Sequence, residues 1–297
     1  MIRIFVTIFA ALTGLALGSF LNVCLSRWPE GESVVTPRSH CRSCTHTLAW
    51  WENLPLISWL ALRGRCGSCH TPISCRYPLV ELTVGVLWAL AAWQLPERLE
   101  LDSTPPQILA LIALAMGWMI FDWLLVALAF LDAEYLWLPD ALTLPGIVLG
   151  IVFTLAHQKL SGTVPSWVHI VAVEVGGILA AAGLVLLIRW VYWLIRRREG
   201  IGLGDAKLMA LLAAWIGLPC ALLSFGIAVL LGSVVAVGML LFPLLQRPQN
   251  ERARGQDMPP SWALTKLPLG TFLCCGGVIS SLAGERLISA YLQWAGL

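Results

Sequence analysis

Glu199-Gly200-Ile201-Gly202-Leu203-Gly204-Asp205-Ala206-Lys207 joins an apolar run ending in Arg196-Arg197-Arg198 to another that begins at Leu208. Three glycines in five residues interrupt any helix and set an ionisable carboxylate where the chain re-enters apolar surroundings. A carboxylate in such a place is costly in free energy, and its default reading is functional. One aspartate makes no acid–base pair, so the rest of the chain must supply a partner.

Outward from this turn the sequence is largely apolar, apart from a polar segment of about fifty residues after the first run. Hydrophobic residues make up 58% of the 297 and charged residues 12%, with a mean hydropathy of +0.80, which excludes a soluble domain. Apolar runs fall at about 4–25, 79–93, 108–131, 141–156, 168–195, 207–218, 221–245 and 267–294. Several reach the roughly 20 residues that cross a bilayer as helix. The 15 tryptophans, many flanking these runs, fit an interfacial aromatic belt. The reading is an all-α polytopic membrane protein of about eight transmembrane helices, with a small cytoplasmic loop domain between helices 1 and 2. The sixth run is short, and Gly217-Leu218-Pro219 reads as a tight turn between helices six and seven. The first run leads into Gly18-Ser19-Phe20-Leu21-Asn22 without a small-residue cleavage site, so it is expected to stay in place rather than be removed as a signal. A net charge of +2 with no nucleic-acid motif leaves membrane lipid, not nucleic acid, as the surrounding partner.

Orientation follows from Lys and Arg. With eight helices, Arg27, Arg38, Arg42, Arg63, Arg65, Arg76, Arg196, Arg197, Arg198, Lys207, Arg247, Arg252, Arg254 and Lys266 fall on one side. Arg3, Arg98, Lys159 and Arg286 fall on the other. The positive-inside rule places the first group in the cytoplasm and both termini outside. Seven helices would spoil this partition. The large loop, Asp132 and Asp205 are then all expected at the cytoplasmic edge of the membrane.

That loop carries Cys41-Arg42-Ser43-Cys44 and Cys66-Gly67-Ser68-Cys69, with 21 residues between the pairs. Two CxxC knuckles let Cys41, Cys44, Cys66 and Cys69 converge tetrahedrally on one zinc ion. Four cysteine ligands close the coordination sphere, so the role expected of Zn2+ is structural, stapling a loop too small to build its own core. His40, His46 and His70 flank the knuckles and are not needed as ligands. Cys75 lies outside both knuckles and reads as a bystander, while Cys24, Cys220, Cys274 and Cys275 lie in or beside apolar runs as small hydrophobes. No HExxH is present, which argues against an intramembrane zinc protease.

The second candidate stretch is Leu131-Asp132-Ala133-Glu134-Tyr135-Leu136-Trp137-Leu138-Pro139-Asp140. Pro139-Asp140 reads as a helix start, which gives Asp140 a capping explanation. Asp132 has none, because an acid at a helix C-terminus opposes the helix dipole. Two carboxylates held together share a proton: the ionised one takes a proton from water while the protonated one polarises a carbonyl. Intramembrane acids serve proton-coupled transporters equally well, so on these residues alone peptidase and transporter stand side by side. Glu81 has two readings, a local ion pair with Arg76 or a place facing the catalytic groove. Asp122 and Glu174 lie inside apolar runs, with each other, Arg189 or a cavity as possible partners. Lys207 reads as snorkelling to the headgroups.

Taken together, the motifs resemble those of the bacterial type IV prepilin peptidases, the leader peptidase/N-methyltransferases of the GxGD aspartic protease group. The likeness runs through Gly18-Ser19-Phe20-Leu21-Asn22-Val23, Pro37-Arg38-Ser39-His40-Cys41-Arg42-Ser43-Cys44 and Glu52-Asn53-Leu54-Pro55-Leu56-Ile57-Ser58-Trp59. It continues through the second knuckle, Arg76-Tyr77-Pro78-Leu79-Val80-Glu81, Asp132 to Asp140, Gly202-Leu203-Gly204-Asp205 and Leu267-Pro268-Leu269-Gly270. The resemblance implies Asp132 and Asp205 as the catalytic pair, Gly202, Gly204 and Glu81 as active-site motif residues, and Asp140 as scaffold. It implies cleavage of the leader of prepilins or pseudopilins after a glycine, at the cytoplasmic face of the inner membrane. It further implies methylation of the new N-terminal residue by S-adenosylmethionine, for which the sequence shows no Rossmann-like glycine motif. The expected segments are 1–26 as the first membrane helix, 27–78 as the cytoplasmic zinc-binding domain and 79–297 as a seven-helix membrane-embedded peptidase domain. The alternatives are a proton-coupled transporter with a zinc-stapled loop, for which no convincing inverted repeat is found, and a noncatalytic assembly factor.

Overall fold

The computed structural model describes residues 1–94, 105–160, 167–198, 200–246 and 267–296. Glu199, Arg98, Arg247, Arg252, Arg254 and Lys266 lie outside the described residues. The helices are α1 (Ile2–Arg27), α2 (Ile57–Ala61), α3 (Arg76–Gln94), α4 (Pro105–Tyr135), α5 (Asp140–Leu160), α6 (Trp167–Arg196), α7 (Leu203–Gln246) and α8 (Leu269–Ala295). Among the described residues the β pairing is confined to two isolated bridges in the cysteine loop, His40 with Thr47 and Arg65 with Pro72. The fold is all-helical, as composition requires.

Six helices among the described residues are long and apolar enough to cross a membrane: α1, α4, α5, α6, α7 and α8. This differs from the expected eight at two places. The 19-residue α3 is diluted by Arg76, Glu81, Thr83 and Gln94. Expected runs six and seven are both contained in the 44-residue α7, which is broken at Gly217 (φ 72°, ψ 164°). That conformation is essentially open only to glycine. The chain reverses there. A Cβ on Gly204 would lie 3.1 Å from Leu138, whose Cδ1 would be equally close to a Cβ on Gly270, and a Cβ on Gly232 would lie 3.5 Å from Phe272. Gly204 and Gly232 thus both sit beside the first turn of α8. A continuous helix would separate them by about 42 Å, at 1.5 Å per residue. Limb 203–216 therefore runs away from that turn and limb 218–246 returns antiparallel to α8. Along the return, Gly276 and Gly284 of α8 admit Ser224 and Cys220 so closely that an added Cβ would collide.

The contacts group the chain into two units, Met1–Leu131 with Leu149–Ile170, and Asp132–Val148 with Val171–Leu297. In the first, α1 and α3 pack antiparallel through glycine. A Cβ on Gly14 would come within 3.0 Å of Gly85 Cα, and one on Gly18 within 2.7 Å of Glu81 Cα. Small residues let membrane helices approach to backbone contact, where packing replaces the hydrophobic drive that lipid cannot supply. Tryptophan N–H groups find carbonyls on neighbouring helices, Trp88 Nε1 donating to Met119 O (2.9 Å) and Trp123 Nε1 to Leu17 O (3.3 Å).

The second unit holds both candidate aspartates. Trp215 Nε1 donates to Gly146 O (2.9 Å), and Arg189 Nη1 to Ile201 O (2.6 Å). The latter fastens the glycine-rich turn to α6, which gives Arg189 a partner the sequence did not suggest. Glu174 is buried on α6 and its Oε1 has no hydrogen-bond partner; the structure offers no account of it. Asp122 is buried on α4 in the first unit.

Candidate active site

Asp205 is the third residue of α7, and its Oδ2 accepts a hydrogen bond from the N–H of Gly202 (3.0 Å). This is the reach-back half of a capping box, in which an acid in the first turn satisfies the N–H of the residue before the helix. Gly202 and Gly204 serve it differently. A Cβ on Gly202 would lie 3.3 Å from Asp205 Oδ2, and one on Gly204 would press into Leu138. The glycines make room for a carboxylate and for the α4–α5 turn, respectively.

Asp132 lies one turn before the end of α4, where its own helix dipole opposes it. The structure answers that objection with another helix. Asp132 Oδ2 accepts from the backbone N–H of Thr271 (2.7 Å) and from Thr271 Oγ1 (3.3 Å). Thr271 is in the first turn of α8, whose leading N–H groups have no partner within the helix. Gly270 permits the approach, since a Cβ there would lie 2.9 Å from the Asp132 carboxyl. The two aspartates are thus alike: each is held by a backbone N–H at the N-terminus of a membrane helix. Both are nearly buried, Asp132 at 6% exposure and Asp205 at 8%, and each lies within electrostatic reach of the other. Buried Cys274 of α8 lies within reach of both.

The intervening turn is rigidly set. Leu136 takes φ 50° and closes α4 by donating its N–H to Asp132 O (2.9 Å). Pro139 O accepts from Leu142 N (3.1 Å), Thr143 N (3.1 Å) and Thr143 Oγ1 (3.2 Å). Asp140 opens α5, as the Pro-Asp signal predicts, and pairs with Lys207, which therefore bridges elements rather than only snorkelling. Thr271 is the residue that sequence reasoning missed. Its only signal was its place directly after Leu267-Pro268-Leu269-Gly270.

The cysteine loop forms a second centre. The Sγ atoms of Cys41, Cys44, Cys66 and Cys69 all lie within 4.8 Å of one another, and Cys41 Sγ is 3.8 Å from Cys69 Sγ. Zn–S bonds of about 2.3 Å at tetrahedral angles put sulfurs about 3.8 Å apart, so the site fits zinc. The knuckles are near copies. In each, the first cysteine's N–H donates five residues ahead (Cys41 N to His46 O, Cys66 N to Thr71 O, both 2.9 Å). In each, the residue after the second cysteine takes positive φ, Thr45 at 58° and His70 at 57°. The Thr71 hydroxyl and N–H pull the Cys69 thiol down to about 6. Cys44, although the His46 N–H favours its thiolate, is pushed up to about 12 by the Cys69, Cys41 and Cys66 sulfurs. Four thiols this close cannot all ionise unless a cation joins them. No histidine joins the cluster among the described residues; His46 instead faces Glu52 Oε2 (3.2 Å).

Glu81 belongs with this loop. Its Oε2 accepts from the N–H of Leu56 (2.8 Å), a loop residue at φ 59°, rather than pairing with Arg76, which stacks over Tyr77. Asn22 Nδ2 donates to Tyr77 O (2.9 Å), and Arg27 holds Ser33 O (2.8 Å) and Pro37 O (2.7 Å). Residues of the first and third helices thereby anchor both ends of the loop.

Fold and site together define a multi-pass membrane enzyme that pairs two helix-terminal aspartates and carries a four-cysteine cluster whose geometry fits a metal ion. Comparison with known proteins agrees. Residues 12–95 match the Bacterial Peptidase A24 N-terminal domain and residues 119–237 the Type IV leader peptidase family. The chain belongs to the type IV leader peptidase family. Among its relatives is a prepilin leader peptidase/N-methyltransferase of Myxococcus xanthus (strain DK1622), 36% identical across 88% of this chain and 74% of the relative. Those of Pseudomonas putida (32% identical; 98% and 95%) and Aeromonas hydrophila (34%; 95% and 92%) bear the same description. No solved structure matches the chain.

Proposed function

We propose that this protein cleaves the leader from type IV prepilins or pseudopilins and methylates the new N-terminus. Asp132 and Asp205 are the catalytic pair, and the active site lies at the cytoplasmic face of the inner membrane. The observation that carries the reading is the pairing of two nearly buried carboxylates, each fixed by a helix-terminal N–H.

One carboxylate takes a proton from water as its oxygen adds to the scissile carbonyl carbon, while the other gives its proton to the carbonyl oxygen. The resulting gem-diol collapses: the C–N bond breaks, the amine leaves with a proton from the dyad, and a carboxylic acid remains on the leader. Oδ2 of each aspartate is engaged by a backbone donor, which fixes how each carboxyl is presented to water and substrate.

S-adenosylmethionine would supply an electrophilic methyl group to the freed amine. Among the described residues no strand–turn–helix cradle suits such a nucleoside, so no residue is assigned to it and no step is routed through it. Cys41, Cys44, Cys66 and Cys69 hold zinc in a structural role. A transporter finds no support in the family, and both aspartates are accounted for by peptide hydrolysis.

The test is to incubate membranes containing the protein with a prepilin and S-adenosylmethionine and to weigh the product. Cleavage after a glycine, and a further 14 Da per methyl group (about the mass of CH2), are expected. Asp132→Asn and Asp205→Asn should each lower cleavage by about a thousandfold or more, as loss of an essential group does elsewhere. Normal processing by either variant sinks the dyad.

A further inference from the structure

Leu138 packs against both glycines that flank the dyad, Gly204 beside Asp205 and Gly270 beside the Asp132 carboxyl. Its Cβ and Cδ1 would lie 3.1 Å from a Cβ on Gly204, the residue before Asp205. The same Cδ1 would lie 3.1 Å from a Cβ on Gly270, a point itself 2.9 Å from the Asp132 carboxyl carbon. The methyl is therefore no more than about 6 Å from that carboxyl carbon, since both lie within about 3 Å of one point. Leu138 is only partly buried, while Gly202 and Leu203 beside it are exposed, so this side chain faces an open flank. It cannot readily withdraw. Pro139 is buried and fixed through its carbonyl, Leu136 closes α4, and Asp140 is tied to Lys207.

A peptide being cut places its scissile carbonyl within hydrogen-bond reach, about 3 Å, of both carboxylates. The residue that carries this carbonyl is the one on the N-terminal side of the cut. Its Cα is one bond away, so its side chain would emerge within a few ångströms of the dyad, where Leu138 already stands. Carbon atoms in contact need about 3.5–4 Å. A hydrogen is accommodated beside that methyl more readily than a further methyl group.

We propose that Leu138 is a specificity-determining wall that restricts the residue before the scissile bond to glycine. This rests on the peptidase reading given above. It also separates two jobs within the Asp132–Asp140 stretch: Asp132 acts on the bond, and Leu138 decides which bond is presented.

The experiment compares two prepilins, one with glycine before the cut and one with alanine there, for the unaltered protein, Leu138→Ala and Leu138→Val in membranes. The readout is the ratio of kcat/KM for the alanine and glycine substrates. One methylene in an apolar pocket changes discrimination by about 10–200-fold. Leu138→Ala should therefore raise the ratio by about tenfold or more, and Leu138→Val by less. An unchanged ratio in variants that still cut the glycine substrate overturns the wall and leaves the peptidase standing. Loss of cleavage of both substrates by both variants also overturns it, because a wall is not needed for the chemistry. Failure of the unaltered protein to cut the glycine substrate overturns the peptidase reading and the wall with it.

Discussion

Asp132 shows how far a single residue can be read. At a helix C-terminus it looked misplaced, and that misfit marked it as functional. Its remedy, the N–H and hydroxyl of Thr271, comes from 139 residues away and leaves no periodic trace in the sequence. Thr271→Val keeps the backbone donor and removes only Oγ1. The hydroxyl's bond to Asp132, about 0.5–1.5 kcal/mol, is then lost, and kcat should fall by about tenfold or less, far short of the loss in Asp132→Asn. A loss as large as that of Asp132→Asn would mean that the hydroxyl, not the helix terminus, holds the carboxylate. Asp205 was easier to read, because its cap partner lies three residues away. Glu81 was readable as important but not as a loop anchor, since its bond to Leu56 spans 25 residues.

Among the elements, the cysteine loop was the most legible and α7 the least. Paired CxxC motifs bring their sulfurs together whatever the surrounding fold, and the spacing alone picked out the four cysteines whose Sγ atoms lie within 4.8 Å of one another. On the proposed zinc reading, the loop's small apolar content makes it dependent on the ion. Cys41→Ser should lower the zinc content of purified protein and open the loop between α1 and α3 to proteolysis, with α1 and α3 themselves intact. Retention of full zinc stoichiometry in that variant would refute the assignment of Cys41. By contrast, hydropathy cannot say whether Gly217-Leu218-Pro219 turns the chain or merely kinks it. Only the meeting of Gly204 and Gly232 with the same end of α8 shows the reversal. The α1–α3 contact through Gly14, Gly18 and Gly85 was likewise hidden, because close backbone approach depends on which helices are neighbours.

For the whole molecule, the positive-inside rule applied to eight spans, with α3 and both limbs of α7 counted, is expected to put the dyad and the cysteine loop in the cytoplasm and the end of α8 on the opposite side. A phosphatase active only outside the cytoplasm, fused after residue 297, should therefore be active, and one inserted between Cys44 and Cys66 inactive. The reverse pattern would invert the assigned orientation. Composition made the membrane class plain, and the motif order pointed to the family. The mutual placement of α4, α7 and α8 was beyond reach, because it rests on glycines that look alike until their neighbours are known. That placement sets an order on biogenesis. Chains emerge from the ribosome N-terminus first, so Asp132 and Asp205 are both made well before the helix that supplies Thr271. Until α8 has been inserted, one half of the dyad lacks its donors. On the proposed reading, the dyad is therefore completed only by the last helix to be made.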